Sequence, residues 1–241
     1  MLWLARYAQT PEQGLDYCNR AAVLAPQYAN VYLQRGIIKS QINQLAAAID
    51  DFTKAISLAP TDPNSYYCRG RARILARELE AAIADLDTAI YLDPEYVDAY
   101  GERGVARYLR GNLDSALLDY DRVLALKPND PIALFNRAKI KHDLKDYRGA
   151  VADYDSAISV DPSDADSYNS RGLAKYCLKQ YTGAIKDYNK AIELQPTKAN
   201  SFLNRGDALD KLGRKNEAML DYKKAKELGL AKPDSATHPT K

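Results

Sequence analysis

Between Leu45 and Leu58 the apolar residues Leu45, Ala48, Ile49, Phe52, Ala55 and Ile56 recur at steps of three and four. That is the stripe of a helix that buries one side. Pro60 closes the stretch, since proline lacks the amide hydrogen and clashes with the preceding turn. The segment before it, Ala29 to Gln41, reads as a first, partner helix. The pair then returns in register. Proline falls at Pro26, Pro60, Pro94, Pro128, Pro162 and Pro196, each 34 residues after the last. Arginine does the same at Arg35, Arg69, Arg103, Arg137, Arg171 and Arg205. It is followed by Gly36, Gly70, Gly104, Ala138, Gly172 and Gly206. In the second helix alanine recurs from Ala48 to Ala218, and aspartate at Asp51, Asp85, Asp119, Asp153, Asp187 and Asp221. Asp62–Pro63 and Asp130–Pro131 supply a capping acceptor followed by proline at the first helical position. No alternating run asks for a strand, so the chain is predicted to be all-α.

These landmarks resemble the tetratricopeptide repeat, a 34-residue helix pair. Copy three supplies Tyr100, Arg103, Gly104, Ala116, Tyr120, Val123 and Pro128; copy five supplies Tyr168, Arg171, Gly172, Ala184, Tyr188, Ala191 and Pro196. The Arg-Gly style is similar to arrays common in bacteria. The resemblance implies an α-solenoid, a right-handed superhelix of antiparallel helix pairs, with repeats over 29–62, 63–96, 97–130, 131–164, 165–198 and 199–232. A partial or degenerate repeat is expected over 1–28 and a disordered tail over 233–241. In the partial copy Gly14, Cys18 and Ala21 take the places of alanine, aromatic and alanine. One departure is systematic: arginine stands in all six copies where the family has leucine. Paired with the recurrent aspartate, it predicts an Arg–Asp ladder of structural role, in which Arg103→Leu strands an aspartate.

Composition narrows the function. Thirty-four basic residues against 32 acidic ones give a formal charge of +2, which argues against a surface built for nucleic acid. Three scattered cysteines, Cys18, Cys68 and Cys177, read as free thiols in a reducing, cytoplasmic compartment. The start MLWLARYAQT is too short for a signal or anchor helix, so no membrane partner is expected. Its Leu2, Trp3 and Leu4 suggest a contact with more array, a partner or a second copy of the chain. No catalytic, nucleotide or metal motif is present, the glycines read as helix contacts and not loops, and neither His142 nor His238 has an obvious partner set. No enzyme activity, cofactor or metal is expected.

What remains is binding. The resemblance implies that first helices line a concave groove for a peptide or partner segment. Groove places carried from the family are Asn30, Leu33, Gln34 and Ile37 in copy one, and Asn64, Tyr67, Cys68 and Arg71 in copy two. Copy three offers Asp98, Glu102 and Tyr108; copy four offers Phe135, Asn136, Lys139 and His142. The last two copies offer Asp166, Asn169, Tyr176, Asn200, Asn204 and Asp207. The lysine–asparagine clamp of chaperone-binding relatives is not matched, because Leu33 and Ile37 occupy its places in copy one. The asparagine ladder of glycosyltransferase-type arrays is matched only at Asn136 and Asn204, against Gln34, Cys68, Glu102 and Ser170 elsewhere. Acidic members (Asp98, Glu102, Asp143, Asp166, Asp207, Asp210) outnumber Arg71, Lys139 and Lys211, so the expected partner has an apolar and a basic part. The alternative reading is a recognition or regulatory arm of a larger enzyme or assembly.

Overall fold

The computed structural model describes residues 10–230, and among them it forms thirteen α-helices and no strand. The first, α1 (Pro11–Leu24), precedes six pairs. These are α2 (Ala29–Gln41) with α3 (Leu45–Leu58), α4 (Pro63–Leu75) with α5 (Leu79–Leu92), and α6 (Val97–Leu109) with α7 (Leu113–Leu126). They continue as α8 (Pro131–Asp143) with α9 (Tyr147–Val160), α10 (Ala165–Cys177) with α11 (Tyr181–Leu194), and α12 (Ala199–Lys211) with α13 (Lys215–Glu227). The chain divides into two compact units, Met1–Leu126 and Lys127–Lys241. In each, every helix packs on its sequence neighbours, the arrangement of an α-solenoid. Leu2, Trp3, Leu4 and the segment 233–241 lie outside the described residues. In α1, Gly14, Cys18 and Ala21 are buried together on the side that meets α2.

Within a pair the helices approach closely because the first carries no side chain at the contact. A Cβ on Gly36 would stand 2.6 Å from the Phe52 ring, and one on Gly172 2.7 Å from Tyr188. The aromatic fills the space that glycine leaves, and alanines such as Ala48, Ala82 and Ala184 bury completely around it. The turn inside each pair has its own period. Asn43, Arg77, Gly111, Lys145, Lys179 and Gly213 all adopt positive φ, 61° to 85°, and sit 34 residues apart. The next amide then bonds back to a carbonyl five residues earlier, as Gln44 N does to Lys39 O at 2.8 Å. Gly111 and Gly213 are therefore turn residues, which corrects the sequence reading that the glycines serve helix contacts and not loops. The turn site gives little signal in the sequence, because only two of its six copies use glycine.

The recurrent arginine of each first helix reaches the aspartate 16 residues on. Arg35 donates through Nε and Nη2 to Asp51 at 2.9 and 2.6 Å, and Arg69, Arg103, Arg137, Arg171 and Arg205 repeat the fork on Asp85, Asp119, Asp153, Asp187 and Asp221. Most of these arginines also reach back to the previous second helix: Arg69 Nη1 to Thr53 Oγ1 at 3.0 Å, Arg103 to Asp87 at 2.6 Å, Arg171 to Asp155 at 2.6 Å, Arg205 to Asn189 at 2.7 Å. Each such arginine pins three helices. A second cation, four residues further along, completes five of the six sites: Lys39, Arg73, Arg107, Lys141 and Lys175 lie 2.7–2.9 Å from the same carboxylates. In the sixth, Leu209 stands there and, among the described residues, Asp221 holds Arg205 alone. Arg103→Leu therefore does not strand Asp119, which keeps Arg107 at 2.9 Å.

Two predictions follow the chemistry of these buried groups. Asp51→Ala leaves Arg35 and Lys39 without their carboxylate, a loss of about 3–5 kcal/mol for a broken buried pair, and it should exceed that of Asp221→Ala, which releases one cation. Equal shifts of the urea midpoint would refute the shared-carboxylate account. Ser65 Oγ donates to the capping Asp62 at 2.6 Å, but Ser201, equally buried, follows Lys198 in place of an aspartate and its hydroxyl has no partner among the described residues. Ser65→Ala should cost roughly 1–2 kcal/mol and Ser201→Ala nothing or less, read from thermal midpoints.

Candidate functional site

The side chains expected to line a binding face lie on the first helix of each pair. In the first unit they come from α2, α4 and α6. Leu33, Ile37 and Cys68 pack against Phe52 and Ala72, and Tyr67 packs against the cluster around Leu86 and Ala99. These residues are half-buried, so they present edges to solvent and spend most of their surface stacking one pair on the next. Asn30 accepts from Gln34 Nε2 at 3.5 Å, and Asn64 accepts from the Tyr96 hydroxyl at 2.8 Å. Arg71 lies over the Tyr67 ring at 5.7 Å and pairs with Glu102 at 3.0 Å. The guanidinium that looked available to a ligand is thus held between two neighbours on its own face. Burial pushes the Glu102 carboxyl up, with Arg71 opposing, and pushes the Tyr67 phenol up to about 12. Asp98 is exposed and Tyr108 half-buried.

The second unit builds its face from α8, α10 and α12. Phe135 meets Tyr154 edge-on at 5.6 Å and closes the core around Ala138, Ala150 and Ala174. Asn136 is half-buried and Lys139 exposed. Asn204 Nδ2 donates to Asn169 Oδ1 at 3.1 Å, joining α12 to α10. Asp166 pairs with Lys198, and Asp207 accepts from the Tyr222 hydroxyl at 2.9 Å. Tyr176 packs beside Tyr181 at 5.3 Å; Asn200, Asp210 and Lys211 are exposed. Part of the acidic surplus seen in the sequence is therefore answered internally, Glu102 by Arg71 and Asp166 by Lys198.

His142 has closer company than the sequence suggested. Its Nε2 is 3.8 Å from Cys177 Sγ on α10, its Nδ1 is 3.5 Å from Asp143 Oδ1, and its ring meets Tyr147 at 5.2 Å. The order Cys–His–Asp resembles a thiol nucleophile with its base, but the electrostatics oppose that role. A reactive cysteine needs a lowered pKa, and burial pushes the Cys177 thiol up. Among the described residues no group of three His, Cys, Asp or Glu is placed to hold a metal ion, and no helix is long and apolar enough to cross a membrane.

Sequence reasoning missed two kinds of residue. The second cations from Lys39 to Lys175 were signalled by a basic residue four places after arginine in five of six copies. Tyr96 and Lys198 carry no periodic signal, since the residue that precedes the first helix differs from copy to copy. Both fold back onto the preceding pair.

The geometry is that of a known family. The sequence matches the TPR repeat profile over residues 104–145, 138–179 and 176–213, and the tetratricopeptide repeat profile over 29–62 and 199–228. The chain belongs to the tetratricopeptide repeat family, whose arrays act as protein-interaction scaffolds. No curated protein matches the sequence. Among solved structures it resembles the C-terminal part of a TPR repeat-containing protein from Cytophaga hutchinsonii, at 17% identity over 91% of this chain and 90% of that one, with a TM-score of 0.76. It also resembles YrrB, described as a TPR protein with an unusual peptide-binding site, at 21% identity over 76% and 95%, TM-score 0.66. MamA from Desulfovibrio magneticus, at 22% identity over 69% and 94%, scores 0.66. At these identities the likeness is one of fold.

The thiols give a direct check on the face. Burial pushes Cys68 up to about 11, against the pull of Arg71. Iodoacetamide labelling of Cys68 in the folded chain should be slow at neutral pH and keep accelerating as pH rises toward about 11. A rate that levels off near the ordinary thiol value of 9.0 would contradict this electrostatic picture.

Proposed function

We propose that the chain is a non-catalytic scaffold whose first-helix face binds an extended peptide or partner segment. The observation that carries this reading is the use made of polar groups on the two helix types. The buried carboxylates of the second helices are consumed by arginine and lysine of their own array. On the first helices, the Asn204–Asn169 bond takes one donor and one acceptor and leaves the rest of both half-buried amides unused among the described residues. Amides held at the spacing of successive pairs suit the N–H and C=O groups of an extended backbone. Leu33, Ile37 and Tyr67 give apolar edges in the first unit, and Asp207 and Asp210 give carboxylates in the second. The second unit also carries apolar edges, Phe135 and Tyr176, so a segment with an apolar and a basic part fits its first helices alone. YrrB, by its name a peptide-binding TPR protein, offers a precedent in the same fold. The three free thiols accord with a reducing, cytoplasmic setting.

A displayed library of linear peptides, panned on the full chain, tests the reading. Selected peptides should lose at least about tenfold in affinity, ~1.4 kcal/mol, for an Asn136→Ala, Lys139→Glu, Asn169→Ala, Asn204→Ala variant. They should bind normally to Leu118→Lys, Leu220→Lys, which alters exposed second-helix positions. The reverse pattern would move the site to the second helices and end this proposal.

A further inference from the structure

A slot recurs where one helix pair meets the next, over the start of the first helix and beside the residue that precedes the following first helix. Between the second and third pairs that residue is Tyr96. Its ring lies 4.9 Å from the Tyr67 ring, and its hydroxyl donates to Asn64 at 2.8 Å. Between the fifth and sixth pairs it is Lys198, which reaches Asp166, the counterpart of Asn64. Between the fourth and fifth pairs it is Asp164, and this side chain turns the other way. Its Oδ1 accepts from Asp166 N at 3.1 Å and its Oδ2 from Ser167 N at 3.1 Å, capping α10. The slot there stays open as a cavity of about 310 Å³, floored by Pro131, Ile132, Phe135 and Ala157. Ile132, the counterpart of Asn64, is 71% exposed.

We propose that this slot receives one aromatic side chain of a partner segment that carries a lysine or arginine beside it. The proposal rests on the binding role assigned above to the first-helix face and names the partner's chemistry. The protein supplies its own precedent: Phe135 corresponds to Tyr67, 68 residues earlier, on which Tyr96 lies. Ring-on-ring contact adds to the burial of an aromatic. Ile132 offers no acceptor where Asn64 has one, so phenylalanine and tryptophan fit as well as tyrosine. The volume sits at the small end of ligand pockets, which suits one side chain. At the rim, the Ser163 hydroxyl and amide hold Asp161 below the usual carboxylate range, while Asp166 shares its charge with Lys198. Asp161 stands at the rim with no lysine or arginine paired to it among the described residues, so a basic neighbour on the ligand meets complementary charge.

The probe is the acetylated, amidated peptide Gly-Lys-Trp-Lys-Gly, titrated into the full chain while isoleucine methyl resonances are followed. The Ile132 methyls should shift saturably. Alanine in place of tryptophan, or glutamate in place of both lysines, should weaken binding at least about tenfold, ~1.4 kcal/mol. The variant Ile132→Asn, Asp164→Tyr copies the Tyr96–Asn64 arrangement into the slot and should abolish binding while the chain stays folded by circular dichroism. Ile132→Lys, at an exposed site, should do the same by charge. No saturable shift at Ile132, an alanine peptide that binds equally, or undiminished binding to either variant overturns the proposal. Library peptides that lose affinity on the first-helix variant yet leave Ile132 unshifted would remove the slot and keep the scaffold function, so the two readings fail separately.

Discussion

One carboxylate per helix pair holds the array in register. Each of these aspartates is almost wholly buried, and a lone charge in that position would cost more than a domain can spare. Its arginine comes from the first helix of the same pair, and the outer nitrogen of that arginine most often extends to the preceding second helix. The bond thus joins three helices with directional geometry, where an apolar seam would tolerate sliding. The fork fixes rotation about both helix axes, because Nε and Nη2 must meet two oxygens at once. A rigid 34-residue period without insertion is what such a contact demands: a slip of one residue would swing the arginine about 100° around its helix, as 3.6 residues make a turn.

The remaining landmarks serve that contact. The aromatic three residues before the arginine lies against the guanidinium, Tyr100 under Arg103 at 5.3 Å and Tyr168 under Arg171 at 5.3 Å. Leu134 takes this place in copy four, and Arg137 keeps the fork there. The glycine after the arginine brings the two backbones close enough for a short side chain like aspartate to be reached. Ala138 shows the tolerance: a methyl is accommodated beside Tyr154, with Phe135 edge-on to the same ring.

Periodicity made the fold legible. Proline, arginine, alanine and aspartate repeat in phase, and the helix bounds Ala29–Gln41 and Leu45–Leu58 could be read from the apolar stripe and the proline stop. The left-handed turn residue was hidden because Asn, Arg, Gly and Lys all occupy it, held by the bond from Gln44 N to Lys39 O and its repeats and not by side-chain type. The candidate face was legible only in part. Which side a residue occupies follows from helix phase, but whether it is spent internally depends on neighbours 31 to 35 residues away, as Arg71 with Glu102 and Asn169 with Asn204 show.

That distance explains how a uniform array acquires a local surface. The buried network admits little change, since most of its carboxylates answer two cations at once. The residue before a first helix stands outside that network, and it is Tyr28, Asp62, Tyr96, Asp130, Asp164 and Lys198 in successive copies. Where it is tyrosine it can lie on the aromatic of the preceding pair; where it is lysine it can pair with an aspartate there; where it is aspartate it caps its own helix, as Asp62, Asp130 and Asp164 do. Capping stabilises the helix start and withdraws the side chain from the slot in the same stroke. At Asp164 that choice, set over Ile132 and Phe135, leaves an apolar surface uncovered, so a single residue decides between a junction closed by its own chain and one open to another.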